Sequence, residues 1–297
     1  MDRIIADIKS LRIQGAREIA KAGIEYIART MKASRTLSKE GMQEQLLKEI
    51  NRVIKVRPTE PMLVNSLARI AVEFGKADIK TATAMKRFIA DICLRQREEM
   101  DQMLRKIAVN GAMEIGEGDI IMTHCHSNDL MAVFAEARRN KKNFKVIVTE
   151  TRPLYQGLKT AKELLEMGIP VVYCEDSAMA YMMKETAKTM VGCDAILPDG
   201  SIVNKIGTFL LALVAKEFGR PFLVVGETLK MTEQVEIEQR AAPEVIDPRK
   251  LPGAEVVNPA FDITPGDLVT AIITEKGKLV PGRDNAICSG LISDMEQ

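Results

Sequence analysis

Residues 119–127 read Asp119-Ile120-Ile121-Met122-Thr123-His124-Cys125-His126-Ser127. The short apolar run at their start predicts a strand, with a thiol just past its end. Open α/β sheets hold their ligands outside the carboxyl ends of their strands, so Cys125 stands where chemistry is expected. Downstream, Val191-Gly192-Cys193-Asp194 repeats the arrangement with a carboxylate, and Asn204-Lys205 is expected at the start of the next helix. A thiol, an acid and a cation would thus converge on one small anionic substrate. A single Cys is more often a small core hydrophobe than a base or nucleophile, so the weight rests on its company.

Working outward, the chain from Gly116 alternates β-branched runs with helix-like stretches. Strands are expected at 119–123, 144–149, 169–173, 191–196, 222–225 and 268–273, and helices near 128–140, 155–167, 178–186 and 203–218. Such alternation predicts βαβ units and a mostly parallel sheet. Before Gly116 the period is helical: Ile4, Ile5, Ile8 and Leu11, then Ile19, Ile24 and Ile27, recur at three- and four-residue spacing. Gly15 should break that stretch, Ser38 should cap another helix, and Pro58 and Pro61 should mark a hard turn. Two more helices are expected over 62–75 and 79–109. The fold class is therefore α/β, with a helical N-terminal domain over 1–115 and a Rossmann-like domain over 116–297.

Composition excludes several function classes. The chain has 297 residues, 46% hydrophobic and 28% charged, with a formal net charge of +1. That balance makes no case for nucleic acid or an acidic membrane surface. No apolar run reaches the roughly 18 residues of a membrane-spanning helix, and the first residues carry no secretory core; a cytoplasmic protein is expected. The five cysteines (93, 125, 174, 193, 288) show no CxxC pairing, which points to a reducing compartment. With two histidines, both flanking Cys125, no metal site is expected, and neither GxGxxG after the first strand nor a Walker A pattern occurs. No cofactor is expected.

Candidate ligand contacts are spread along the chain. Gln14-Gly15-Ala16-Arg17 places a glycine and a cation at a helix start, where backbone N–H groups can face a phosphate. Residues 1–57 hold thirteen Lys/Arg and seven Asp/Glu, compatible with an anion site or a solvated face. Arg57, beside a rigid turn, can offer a bidentate fork. Ser127 opens a strand–turn–helix cradle. Glu150-Thr151-Arg152-Pro153 can bind ligand or tie loops together. Lys205 and Lys230 follow successive strands and can share a crevice.

In order and spacing, four of these stretches resemble one known family: Thr123-His124-Cys125; Val148 to Pro153 with Gln156-Gly157; Gly192-Cys193-Asp194; and Asn204-Lys205-Ile206-Gly207-Thr208. So do Arg57-Pro58-Thr59 and Asn258-Pro259-Ala260-Phe261-Asp262-Ile263-Thr264-Pro265. The family joins methylthioribose-1-phosphate isomerases, archaeal ribose-1,5-bisphosphate isomerases and regulatory subunits of the exchange factor for translation initiation factor two. His124-Cys125-His126-Ser127 looks most like the bisphosphate branch. The resemblance implies conversion of α-ribose 1,5-bisphosphate to ribulose 1,5-bisphosphate in nucleotide salvage, with Asp194 as acid and Cys125, as a thiolate steadied by its flanking histidines and a helix N-terminus, as base. It implies substrate contacts from Gln14, Gly15, Ala16, Arg17, Arg57, Ser127, Asn128, Asp129, Asn204, Lys205 and Lys230. It further implies activation by AMP and assembly into homo-oligomers, as dimers or hexamers. Another sugar 1-phosphate as substrate, or a non-catalytic regulatory role, are the alternatives. Two positions depart from the pattern: Gln14 and Asn128 stand where relatives usually have Arg and Lys.

Overall fold

The computed structural model describes residues 2–10, 12–233 and 235–282; Cys288 lies outside them. Contacts divide the chain into two units between Met103 and Leu104.

The first unit is helical. Helices α1 (Arg3–Lys9), α2 (Ala16–Lys32), α3 (Lys39–Ile54) and α4 (Pro61–Lys76) are followed by α5 (Ala82–Met113), which runs across the division. Their starts follow local chemistry. Asp2 accepts from the Ile4 N–H at 2.9 Å, and Ser38 accepts from the Gly41 N–H at 3.1 Å. Gly15 precedes α2 with φ 85°, a conformation glycine takes without steric cost. Pro61 does more than mark a turn: it opens α4, where a missing N–H costs nothing. Buried Ile24, Ile27 and Met31 of α2, Leu46 of α3 and Leu67 and Phe74 of α4 form this unit's core. Gly23 permits the close approach of α2 and α4, since a Cβ there would lie 2.5 Å from Leu63 Cδ1.

The second unit is built on β1 (Ile120–Thr123), α6 (Asn128–Arg139), β2 (Lys145–Thr149), α7 (Gln156–Glu166), β3 (Val171–Cys174), α8 (Met179–Met183) and β4 (Lys188–Gly192). It continues through β5 (Ala195–Ile196), β6 (Ile202–Lys205), α9 (Thr208–Glu217), β7 (Phe222–Val225), β8 (Phe261–Thr264), β9 (Ala271–Thr274) and β10 (Gly277–Leu279). Seven strands form one sheet in the order β10-β9-β7-β4-β1-β2-β3, parallel except for β10. Strand residues alternate strictly between its faces. Ile121, Val146, Val148, Met190 and Leu223 pack with Phe134 and Leu164 on one side. Met122, Ile147, Val191, Val224 and Ile272 pack with Leu211 and Met183 on the other. A parallel sheet covered on both faces is the expected α/β arrangement. The last turns of α5 join the first of these layers through Ile107 and Ala112. This is why the division falls inside α5 and not near residue 115.

Three local expectations are corrected. The run 191–196 is not one strand: β4 ends at Gly192, and β5 belongs to a separate antiparallel sheet, β5-β6-β8. Asn204 and Lys205 end a strand instead of opening a helix, because Gly207 at φ 102° turns the chain before α9 begins. Residues 266–268 form a 3-10 turn, so the last long parallel strand starts at Ala271.

Candidate active site

The order of the large sheet places β1 and β4 side by side, with β2 and β3 leading one way and β7 and β9 the other. That reversal is the topological switch point, where open sheets leave a crevice beyond the strand ends. Cys125 follows β1 and Asp194 follows β4. The crevice is narrow at its base: any side chain at Gly192 would collide with Cβ and Oγ of Ser127. Ser127 caps α6, its hydroxyl accepting from the Leu130 N–H.

Part of Cys125 reaches solvent, but its thiol is enclosed. Burial pushes the thiol up to about 11; Lys205 and the His126 N–H pull it down, and Asp194 and Asp176 push it further up. These effects place Lys205 and Asp194 within electrostatic reach of the sulfur. The thiol therefore holds its proton near neutral pH. The Asp194 N–H donates to the Val203 carbonyl at 2.8 Å, fastening the acid to β6.

The rings of the flanking histidines are bonded elsewhere and do not steady a thiolate, contrary to expectation; only the His126 backbone N–H does. His124 is buried, with Nε2 2.8 Å from the Ile206 carbonyl and Nδ1 2.6 Å from Thr149 Oγ1. A carbonyl only accepts, so Nε2 carries the hydrogen and Nδ1 accepts from the threonine hydroxyl. Burial lowers the pKa of His124, and this ring is neutral. His126 turns the other way, with Nδ1 3.1 Å from Thr160 Oγ1 and Nε2 3.2 Å from Asn128 Oδ1. Burial and Lys159 lower its pKa, against Glu163.

The remaining expected residues divide between the units. In the second unit, Lys230 lies in a short turn after β7, buried, with Nζ 2.6 Å from Asp129 Oδ2 and 3.5 Å from Glu227 Oε2. Burial alone would lower its pKa, but Asp129 and Cys193 reverse the sign and raise it. Asn204 donates to Thr208 Oγ1 at 3.0 Å, and the Thr208 hydroxyl donates to the Lys205 carbonyl at 2.6 Å. Lys205 Nζ lies 4.7 Å over the Phe261 ring. Cys193 is buried against Gly226, its thiol pushed up to about 12 by burial.

In the first unit, Gln14 is exposed and Gly15 and Ala16 start α2. Arg17 is buried, donating to the Met100 carbonyl at 2.7 Å, and is not the solvated cation of the plainer reading. Arg57 pairs with Glu60 at 2.7 Å.

Several residues shape the site in ways their motifs did not announce. Asp262, in the tail stretch that resembles the family, accepts from the N–H groups of Gly207 and Phe209, and burial holds its carboxyl up at about 6. Asp176, after β3, accepts from the N–H groups of Thr151 and Arg152, both at 2.8 Å. Arg152 reaches the Val245 carbonyl at 3.1 Å and so ties loops together. A hydrophobic strand followed by a threonine or aspartate is too common a pattern to single these out.

Comparison with known proteins agrees with this geometry. A sequence model of the initiation factor 2 subunit family matches residues 12–281. Ribose 1,5-bisphosphate isomerase of Pyrococcus furiosus is 38% identical, covering 94% of this chain and 90% of that one. The crystal structure of translation initiation factor eIF-2B from Pyrococcus horikoshii OT3 superposes with a TM-score of 0.82 at 32% identity, covering 95% of this chain and 97% of that one. That of 5-methylthioribose 1-phosphate isomerase from the same organism also gives 0.82, at 27% identity, covering 98% and 86%.

Proposed function

The chain belongs to the initiation factor 2 subunit family, and from that membership we propose that it is an aldose–ketose isomerase converting α-D-ribose 1,5-bisphosphate to D-ribulose 1,5-bisphosphate. The observation that carries this reading is the placement of Cys125 and Asp194 just past the ends of the adjacent strands β1 and β4, at the switch point of the sheet. A regulatory subunit has no need of such a pair.

The mechanism follows from where protons can reside. The C1 phosphate blocks spontaneous ring opening, so an acid must protonate the ring oxygen and a base must take the C2 proton. In the resting site the thiol holds its proton. Passing that proton from Cys125 to the Asp194 carboxylate creates the base and the acid in one step. Asp194 then donates to the ring oxygen as the ring opens, and the Cys125 thiolate removes the C2 proton, leaving an enol phosphate. Cys125 returns its proton to C1, Asp194 accepts the proton of the C2 hydroxyl, and the ketose forms with both groups reset. Lys205 stabilises the thiolate while it exists. Ser127, Asn128, Asn204 and Lys205 are proposed to hold the substrate, with Lys230 and Asp129 setting the charge of the crevice wall.

The test is formation of ribulose 1,5-bisphosphate from α-ribose 1,5-bisphosphate, with and without AMP, which is the proposed activator. Cys125→Ser and Asp194→Asn are each expected to lose about 10²–10⁴-fold in kcat with the fold intact. Normal turnover in either variant rejects the mechanism. Turnover of a sugar 1-phosphate lacking the 5-phosphate, in preference to the bisphosphate, rejects the substrate. Sedimentation of the same sample reads the proposed homo-oligomer.

A further inference from the structure

Cys125 has φ 70°, a backbone region that non-glycine residues rarely enter and that persists only where the surroundings hold it. Its position, two residues past the end of β1, takes it out of the parallel ladder that secures Ile120 to Thr123. Both of its backbone polar groups are instead taken by threonine hydroxyls. The Cys125 N–H donates to Thr151 Oγ1 at 2.8 Å. The Thr160 hydroxyl donates to the Cys125 carbonyl at 2.9 Å.

We propose that Thr151 and Thr160 are positioning residues for the isomerisation, a two-sided clamp that holds Cys125 in its left-handed conformation with the thiol turned toward Asp194 and Lys205. The proposal rests on the reading of Cys125 as the catalytic base.

The surrounding bonds show that the clamp is built rather than incidental. Thr151 spends its own proton on the Thr149 carbonyl at 3.3 Å, so its oxygen meets the Cys125 N–H as an acceptor. It is itself at φ 61° and is pinned there by Asp176, which accepts from its N–H at 2.8 Å. Thr160 lies within α7, where a threonine hydroxyl ordinarily bonds back to its own helix. Here it leaves the helix for Cys125. The Thr160 oxygen also lies 3.1 Å from His126 Nδ1, so the His126 ring packs behind the clamp. Thr151 and Thr160 are 0% and 1% exposed, so no water can replace a lost hydroxyl without rearrangement.

The experiment uses the full chain with Thr151→Val and Thr160→Val, which keep shape but neither accept nor donate, and Thr151→Ser and Thr160→Ser, which keep the hydroxyl. Two quantities are read: the rate of iodoacetamide alkylation at Cys125, located by mass spectrometry from pH 7 to 11, and kcat and KM on ribose 1,5-bisphosphate. The valine variants are expected to alkylate at least about tenfold faster at pH 8, as the thiol leaves its enclosure. Their kcat is expected to fall about 10²-fold with KM within about twofold, the effect of a small misplacement of a reacting group. The serine variants are expected to return both quantities close to the parent values. Parent-like alkylation and kcat in the valine variants, or serine variants no better than valine, overturn the clamp.

Hydrogen exchange of the Cys125 amide in the parent protein gives a reading that no substitution can spoil. Protection matching that of β1 supports the clamp, and exchange at loop rates overturns it. Should the parent turn over no sugar phosphate, the functional reading fails, while alkylation and exchange still decide whether the threonines hold the cysteine.

Discussion

At the scale of single residues, the deepest charges in the α/β unit belong to Asp129, Glu227 and Lys230, all at most 4% exposed. Two carboxylates face one ammonium, and the ammonium keeps its proton because their attraction outweighs burial. Such a group is weak evidence for stability while complete, because desolvation offsets the attraction, and costly once broken. Lys230→Met should therefore destabilise the unit, by up to about 3–5 kcal/mol measured by urea unfolding, since it removes the ammonium that both buried carboxylates face. A loss under about 1 kcal/mol would show that the carboxylates find other partners or take up protons. Lys230 is thus tied to the protein before any substrate arrives, and a phosphate that bound it would have to compete with Asp129.

Among elements, the turn between β6 and α9 does most to shape the crevice. Gly207 at φ 102° lets the chain reverse, and its Cα faces the His124 ring closely: a Cβ would lie 3.0 Å from Nε2. Gly207→Ala should cost about 1–3 kcal/mol through backbone strain, together with the bond from His124 to the Ile206 carbonyl, and a thermal melt reads it. An unchanged melt would mean that the turn has room to relax. This same turn limited what the sequence could tell. The alternation of strands and helices was legible because short β-branched runs such as Val146-Ile147-Val148 replace the three- and four-residue spacing seen in α2. The boundary between β4 and β5 was not, since Val191, Ala195 and Ile196 remain apolar on both sides of Cys193-Asp194. Hydrophobicity reports that a residue is buried, not which sheet buries it. For the same reason Ile202 to Lys205 merged with the apolar run of α9. Cys125 and Asp194 were visible because a thiol and an acid past two strand ends are chemically distinctive. The roles of Thr151, Thr160 and Asp176 were not, because they depend on which backbone groups those residues meet across 25 to 35 residues of chain.

For the whole molecule, 42 Lys and Arg nearly cancel 41 Asp and Glu. A bisphosphate with about four negative charges gains little long-range attraction from such a chain, so recognition must come from local groups inside a screening length of about 10 Å. Raising the salt from about 50 to 200 mM should change kcat/KM by less than about threefold. A much steeper dependence would reveal a focused positive field that the net charge conceals. Among the described residues no helix is long and apolar enough to cross a membrane. The chain's path through residues 188–196 bears on the chemistry as well. It leaves the seven-stranded sheet at Gly192 and enters the three-stranded one at Ala195, so Asp194 sits on the seam with its N–H fastened to Val203. A shift of the small sheet therefore reaches the proposed acid through the Val203 carbonyl, as a bridge deck passes the settling of one pier to its joint. Strand β8, where Ile263 is exposed, pairs with β6, the strand that holds the Asp194 N–H.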